Sequence, residues 1–313
     1  MREWKAAGVS QIFVSHKLRE VKEICDEVAI LRDGRIVGRG RTADFEPDEM
    51  ANLMVGRELV RKFPETAPLP ADAPIRLELS GVTVPGVLED ISFSLRRGEI
   101  LGVAGLGGSG RSELAETIYG LRRPAAGTIR LDGKAVRFRG APAAVAAGIA
   151  LLPEDRQGSG VLLDFPLEQN VTLTALAKER PWFIDRRRER ERAEFYLGAF
   201  AIRAGSAASP VRELSGGNQQ KVAIAKGLEP SPLVFLFDEP TRGVDVGARS
   251  EVYAFLRDLA ARGVAVLLIS SDLEEIIGMC RRTLVMRGGR LAGVLAGEHV
   301  NETEIMYLAT GIK

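Results

Sequence analysis

Residues 101–114 read LGVAGLGGSGRSEL. Gly105 to Ser112 follow the pattern G-x-x-x-x-G-K-[ST] at every position but one, because Arg111 stands where the lysine belongs. The run before it, ISFSLRRGEILGVAG, ends in apolar residues of the kind that build a strand buried on both faces. The run after it, ELAETIYGL, has helical spacing, so the motif sits between a strand and a helix, the context a phosphate-binding loop requires. The physics of such a loop is general: glycines let the backbone curl, and its amides and the helix N-terminus face negative charge. Gly105, Gly107, Gly108, Ser109, Gly110 and Arg111 are therefore candidate phosphate-binding residues, and Ser112 is a candidate Mg²⁺ ligand. A glycine-rich turn with no nucleotide role fits these residues as well, so the decision lies elsewhere in the chain.

Two further stretches decide it. PLVFLFDEPTRGVD (232–245) is an apolar strand that ends in Asp238–Glu239. One carboxylate at such a tip can hold Mg²⁺ while its neighbour faces an attacking water. Upstream, LSGGNQQK (214–221) places Ser-Gly-Gly at the start of a helix whose free amides form a second anion site. Each signal alone is weak; loop, Ser-Gly-Gly and acidic strand in that order are specific together.

With these residues in place, residues 75–313 resemble the ATP-binding half of an ABC transporter. More narrowly, GLGGSGRSEL, PEDRQGSGVLL, LSGGNQQK and DEPTRGVDVGA resemble the second half of the fused ATPases that power monosaccharide importers. The resemblance implies an α/β, P-loop NTPase fold of the ABC type: a RecA-like mixed or parallel sheet, an antiparallel β subdomain, and a helical subdomain over roughly 165–228. In that family two halves pair head to tail, and each ATP lies between one half's phosphate loop and the other half's LSGG. Carried over by position, Asp238 and Ser112 hold Mg²⁺, and Glu239 orients or deprotonates the hydrolytic water. Ser215, Gly216, Gly217 and Gln219 face the partner half's ATP, and Asp245 belongs to the loop coupling the two sites.

The same resemblance exposes departures clustered in one site. A planar, forked guanidinium at Arg111 does not fit inside the loop as a compact ammonium does. Ser271 stands at the family's switch histidine, and Glu154 at its lid glutamine. No aromatic occurs in SGVTVPG (80–86), where adenine is often stacked. The expectation is asymmetry: this half binds nucleotide weakly or statically and completes the hydrolytic site of the other. Tolerated variation at Arg111, Glu154 and Ser271 is the alternative, and retention of Glu239 keeps it open.

The chain also repeats itself. GVSQIFVSHKLREVKEICDEVAILRDGRIVG (8–38) aligns without a gap on GVAVLLISSDLEEIIGMCRRTLVMRGGRLAG (263–293). One interval separates Gly8 from Gly263, Ser15 from Ser270, Cys25 from Cys280 and Gly34 from Gly289. Both copies read as strand, helix, strand, Gly turn, strand, helix. Residues 1–60 are therefore expected to be the C-terminal part of a first nucleotide-binding domain. The segment 61–74 is then a linker stiffened by four prolines, and 75–313 the second domain. His16 falls at the switch position of that first domain. Cys25 and Cys280 occupy equivalent places in separate units, so no disulfide is expected.

Bulk properties narrow the class further. Lys plus Arg number 43 against 42 Asp plus Glu, which advertises no nucleic-acid footprint. No apolar run reaches the roughly 18–20 residues that span a bilayer. The charged run RRRERERAEF (186–195) reads as a solvated helix laced with i,i+4 pairs. The resemblance implies ATP and Mg²⁺ as cofactors and the cytoplasmic face of the cell membrane as location. Its implied partners are transmembrane permease subunits, a complete first half or second copy, and indirectly an external sugar-binding protein. Two other classes stay in view: a catalytically silent module completing a partner's ATP site, and a soluble tandem ATPase acting on ribosomes or DNA. The near-neutral charge and PEDR speak against the last. Nucleoside import shares LSGGNQQK and is not separated from sugar import.

Overall fold

A computed structural model describes residues 1–15, 18–32, 34–55, 63, 69–70, 72–179, 181–244 and 246–311. His16 and Asp245 lie outside the described residues. The chain divides into two compact units, 1–64 with 244–253, and 65–243 with 254–313.

The first unit contains α1 (Arg2–Ala6), α2 (Leu18–Ile24), the hairpin β1 (Glu27–Arg32) and β2 (Arg35–Arg41), and α3 (Pro47–Val55). Its small core is Val21, Ile30 and Met50, with Phe13, Leu18, Phe45 and Leu53 packed around them.

The second unit opens with β3 (Ile75–Val84), β4 (Leu88–Arg96) and β5 (Ile100–Gly105), followed by α4 (Arg111–Ile118), β6 (Ala126–Leu131) and β7 (Lys134–Val136). After α5 (Ala141–Ala146) and β8 (Ile149–Leu152) come three helices, α6 (Leu167–Glu179), α7 (Arg186–Ala199) and α8 (Gly216–Leu228). Strand β9 (Val234–Asp238) precedes α9 (Val246–Ala261), whose first turns fall in the first unit. The chain closes with β10 (Ala265–Ile269), α10 (Leu273–Met279), β11 (Arg282–Arg287), β12 (Arg290–Ala296) and α11 (Glu302–Thr310).

Two sheets organise this unit. One is six-stranded in the order β12-β11-β5-β10-β9-β8, parallel except for β12. The other is four-stranded and antiparallel in the order β4-β3-β6-β7. Strands β9 and β10 are buried at every residue, as central parallel strands must be, whereas β3 alternates in burial. One apolar core joins them, with Leu79, Ile91 and Leu95 from the antiparallel sheet and Leu101, Val103, Leu236, Leu267 and Ile269 from the parallel one. The mixed sheet, the antiparallel sheet and a helical region beside them are those expected.

Two local expectations are corrected. The strand expected to open the first copy of the repeat does not form: α2, β1, β2 and α3 match α10, β11, β12 and α11, but residues 10–14 have no strand pairing. Their counterparts in β10 are held between β5 and β9, and the first unit contains no such neighbours among the described residues. Ile12 and Val14 are consequently 96% and 91% exposed, where Leu267 and Ile269 are 0% exposed. An extended segment without partners leaves its amides to water and gains nothing from pleating.

The charged helix α7 also differs. Only Arg187–Glu191, at 2.8 Å, is an i,i+4 pair along it. Arg188, Arg190 and Arg192 instead reach Glu179, Glu168 and Glu229 on neighbouring segments. Glu168 and Glu229 are buried, and an uncompensated buried carboxylate is expensive, so Arg190 and Arg192 turn inward to neutralise them, while buried Glu189 pairs with Arg186 at 3.2 Å. Cys25 and Cys280 are free thiols.

Candidate functional site

Pairing of β9 with β10 sets Asp238 opposite Ile269, and β10 pairs in turn with β5. The C-terminal tips of three adjacent strands therefore bring the 105–112 loop, the Asp238–Glu239 pair and Ser271 to one edge of the sheet. Ligand sites in such sheets form at the strands' carboxyl ends.

The loop needs its first glycine. Gly105 has φ of 150°, and a Cβ there would stand 2.4 Å from the Met286 carbonyl oxygen and 2.6 Å from Ser109 Oγ. Gly107 and Gly108 are exposed, while Ser109 and Gly110 are buried. Gly110, at φ 98°, caps α4, and no backbone carbonyl accepts from the amides of Gly108, Gly110, Arg111 or Ser112. These are the free donors that a phosphate would engage. Ser109 Oγ is buried without a hydrogen-bond partner.

Arg111 does not line this cradle as a lysine would. Its guanidinium turns back to donate from Nη1 to the Gly105 carbonyl, and Nη2 lies 3.4 Å from Glu239 Oε1. Ser271 Oγ donates to the other oxygen, Glu239 Oε2, at 3.0 Å. Both carboxylate oxygens of Glu239 are thus engaged by its own chain. Glu239 itself has φ of 51°, a left-handed conformation that costs a residue with a Cβ about 1–2 kcal/mol. Its amide donates to the Ile269 carbonyl at 2.9 Å, which fixes that geometry at the strand tip.

Asp238 is buried, and burial pushes its carboxyl up to about 6, opposed by a hydrogen bond from Ser112. Its Oδ1 has no partner. A desolvated carboxylate oxygen beside a serine hydroxyl at a helix N-terminus suits a hard divalent cation, which would restore ionisation. Among the described residues no group of three His, Cys, Asp or Glu is placed to hold a metal. The pair supplies two oxygens, and phosphate and water would complete the shell.

Glu154 stands apart from this cluster. It is exposed and paired with the Arg242 side chain. Ser215 caps α8 and is exposed; its side chain accepts from no backbone amide of the first turn, and its Oγ accepts instead from Asn218 Nδ2 at 3.0 Å. Gly216 and Gly217 form the first turn of α8. Gln219 is buried and structural: Nε2 donates to the Val211 and Leu214 carbonyls, and Oε1 accepts from Gln157 at 3.1 Å. No hydrogen bond or ion pair among the described residues joins 215–217 to 105–112. His299 is exposed on the surface.

Three participants were not singled out in the sequence: Arg156, inside PEDRQGSGVLL, which bonds Gln220 and the Arg242 carbonyl; Arg242, inside DEPTRGVDVGA; and Glu275, which is fully buried near Glu239. A glutamate on the apolar side of a short helix was the available signal for the last.

The ABC transporter family matches residues 88–242. The ribose import ATP-binding protein RbsA 2 of Rhizobium etli is 44% identical over the whole chain, and that of Rhizobium meliloti 47%. The ribose import ATP-binding protein RbsA of Halalkalibacterium halodurans is 40% identical over 99% of it. The chain spans 62%, 61% and 62% of the lengths of these relatives. Among solved structures, a nucleotide-free ATP-binding cassette from an ABC transporter superposes with a TM-score of 0.64 at 20% identity, covering 74% of this chain and 95% of its own. A dimeric cassette in a post-hydrolysis state, bound to ADP and Pi, gives 0.63 at 22% identity, covering 70% and 98%. Fold, motif order and full-length similarity agree, and the chain belongs to the ABC transporter ATP-binding family.

Proposed function

We propose that the chain is part of an ATP-binding, ATP-hydrolysing subunit that energises import of a simple sugar through a membrane permease. In this reading residues 75–313 are a second nucleotide-binding domain, 61–74 a linker, and 1–60 the C-terminal part of a first domain whose switch residue is His16. The observation that carries the asymmetry within it is the Arg111 guanidinium, tied to both the Gly105 carbonyl and Glu239. A cation in the phosphate loop that pairs with the general base neutralises that base and competes with the phosphates for the loop.

The geometry supports the following roles. Free amides of the 108–112 segment bind phosphate oxygens, and Ser112 and Asp238 hold Mg²⁺. The metal would neutralise charge on the β- and γ-phosphates when bound. Glu239 orients the hydrolytic water once Arg111 is drawn to phosphate. Ser271 reaches Glu239 instead of a phosphate, and Glu154 is bound to Arg242 rather than free to reach the metal. Ser215, exposed, and Gly216 and Gly217, half-buried, stand at the start of α8 and serve the ATP held by a complete first half or a second copy. Asp245 couples the two sites.

The names of the relatives support sugar over nucleoside as cargo. The permease would dock on the segment from Glu154 through Asn170, where Leu162 and Phe165 are exposed while Val161 packs inward. No described helix is long and apolar enough to cross a membrane, in keeping with a peripheral subunit at the cytoplasmic face. The external sugar-binding protein is reached only through the permease, and no nucleic acid is involved. The second reading, a catalytically silent module, is favoured by the Arg111–Glu239 pair alone. The test is Mg-ATP turnover by the purified chain, alone and with a complete first half added. Weak turnover alone, restored by a first half with an intact phosphate-loop lysine, is expected. Robust turnover by the chain alone, abolished by Glu239→Gln, overturns the asymmetry.

A further inference from the structure

Residues 156–160 form a single π-helical turn, opened by Asp155, whose Oδ1 accepts from the Gly158 amide at 2.9 Å. Such turns mark functional places in many folds. This one is fastened to α8 along its length: Gln157 donates to Gln219 at 3.1 Å, Arg156 to Gln220 at 3.4 Å, and Lys226 Nζ to the Gly160 carbonyl.

Arg156 does more than fasten. Its Nη1 also reaches the Arg242 carbonyl at 3.2 Å, in the turn that follows Asp238–Glu239. A Cβ on Gly216 would stand 2.7 Å from Arg156 Nη2 and 3.5 Å from the Gly243 carbonyl, so the guanidinium lies directly against the first residue of α8. Arg156 is half-buried, and its Nε has no partner, so the fork is committed to these contacts. Its neighbour Glu154 meanwhile holds the Arg242 side chain. Three segments therefore meet at one guanidinium: the lid with Glu154, the turn after the acidic pair, and the Ser-Gly-Gly helix.

We infer that Arg156 is a positioning residue that carries nucleotide occupancy of this domain's own phosphate loop to Ser215–Gly217, and so to the ATP site across the interface. The inference rests on the nucleotide reading above and gives the slow site a use: ATP bound there moves the turn beyond Glu239, and Arg156 moves the start of α8 with it. Nη1 holds a carbonyl and a side-chain amide oxygen at once while Nη2 lies against Gly216, and the planar guanidinium fixes these directions where a lysine ammonium on a flexible stem would not.

The test uses the full chain as wild type, Arg156→Lys and Arg156→Ala. Amide hydrogen exchange is followed with and without Mg-ATP, and ATP affinity is measured separately with a fluorescent ATP. In the wild type, bound Mg-ATP is expected to slow exchange at 215–222 by about tenfold, the equivalent of one hydrogen bond to a charged group. Arg156→Ala is expected to lose that response while keeping its affinity within about threefold, and Arg156→Lys to fall between. A merely structural role would raise exchange equally with and without ATP. A wild-type response in Arg156→Ala, or no response in a wild type that binds ATP, overturns the inference. Failure of all three proteins to bind ATP would instead remove the nucleotide reading itself, and the inference with it.

Discussion

Arg111 is where one atom group changes what the whole site can do. A lysine ammonium is a point charge that can lie along the loop, whereas this guanidinium spans from Gly105 to Glu239. Arg111→Lys should therefore free the cradle and tighten Mg-ATP binding by about tenfold, or roughly 1.4 kcal/mol, read by calorimetric titration. Unchanged or weaker binding would mean that the arginine is already a competent phosphate ligand. Glu275 sets a second residue-scale expectation. It is fully buried, and its carboxyl is pushed up to about 7, mainly by burial, with Asp272 and Glu239 adding to the effect and the hydroxyls of Ser270 and Thr241 opposing it. The folded state thus holds this proton more tightly than the unfolded chain, whose value lies near 4.5. That stabilisation is complete below the unfolded value and is lost as pH rises through about 7. The amount is roughly 3 kcal/mol. Glu275→Gln cannot ionise, so urea denaturation should show the variant gaining on wild type as pH rises from about 5 to about 8. A constant difference across that range would place the wild-type titration elsewhere.

At the scale of elements, the repeat provides its own control. Ile12 and Leu267 are equivalent in sequence, yet one is 96% exposed and the other 0%. Leu267→Ala should cost about 2–5 kcal/mol by opening a cavity between β5 and β9, while Ile12→Ala should change stability by no more than about 0.5 kcal/mol. Chemical denaturation of the two variants makes the comparison, and equal losses would mean that residues 10–14 are buried in solution. The pair also shows what was legible and what was not. Elements that close on local contacts, such as the hairpin β1–β2 and helices α2 and α3, could be read from the repeat alone. A parallel strand could not, because its existence depends on neighbours distant in sequence. The same limit governs the site. Gly105–Ser112, Asp238, Glu239 and Ser271 were legible because each sits at a strand tip marked by glycine, acid or position in the repeat. The contacts of Arg156 and Arg242, though both lie in quoted motifs, and the burial of Glu275 were not, since their partners come from other elements. In α7 the pattern of alternating charge was visible, but not that Glu168 and Glu229 would be buried and draw Arg190 and Arg192 across.

For the whole molecule, the decisive point in the proposed reading is that no hydrogen bond or ion pair among the described residues joins the phosphate loop to Ser-Gly-Gly, in keeping with two segments that serve different nucleotides. Damage to the two should then have unequal consequences. In an assembly of this chain with a complete first half, Ser215→Arg would place a long cation on the exposed tip of α8, against the ATP held by the other half. Hydrolysis should fall by about 100-fold or more, on the scale of losing a γ-phosphate contact in the transition state. Glu239→Gln in the same assembly removes only the base already paired with Arg111, and should reduce turnover by less than about twofold, since most flux passes through the other site. Steady-state Mg-ATP hydrolysis at saturating nucleotide separates the cases. If Glu239→Gln proves as damaging as Ser215→Arg, both sites turn over, and the Arg111–Glu239 pair must open in every cycle rather than hold the site closed. The two variants share a fold and an assembly partner, so their ratio is insensitive to losses of protein during preparation. That ratio reads the division of labour within one chain, which the geometry at the tips of β5, β9 and β10 predicts to be strongly one-sided.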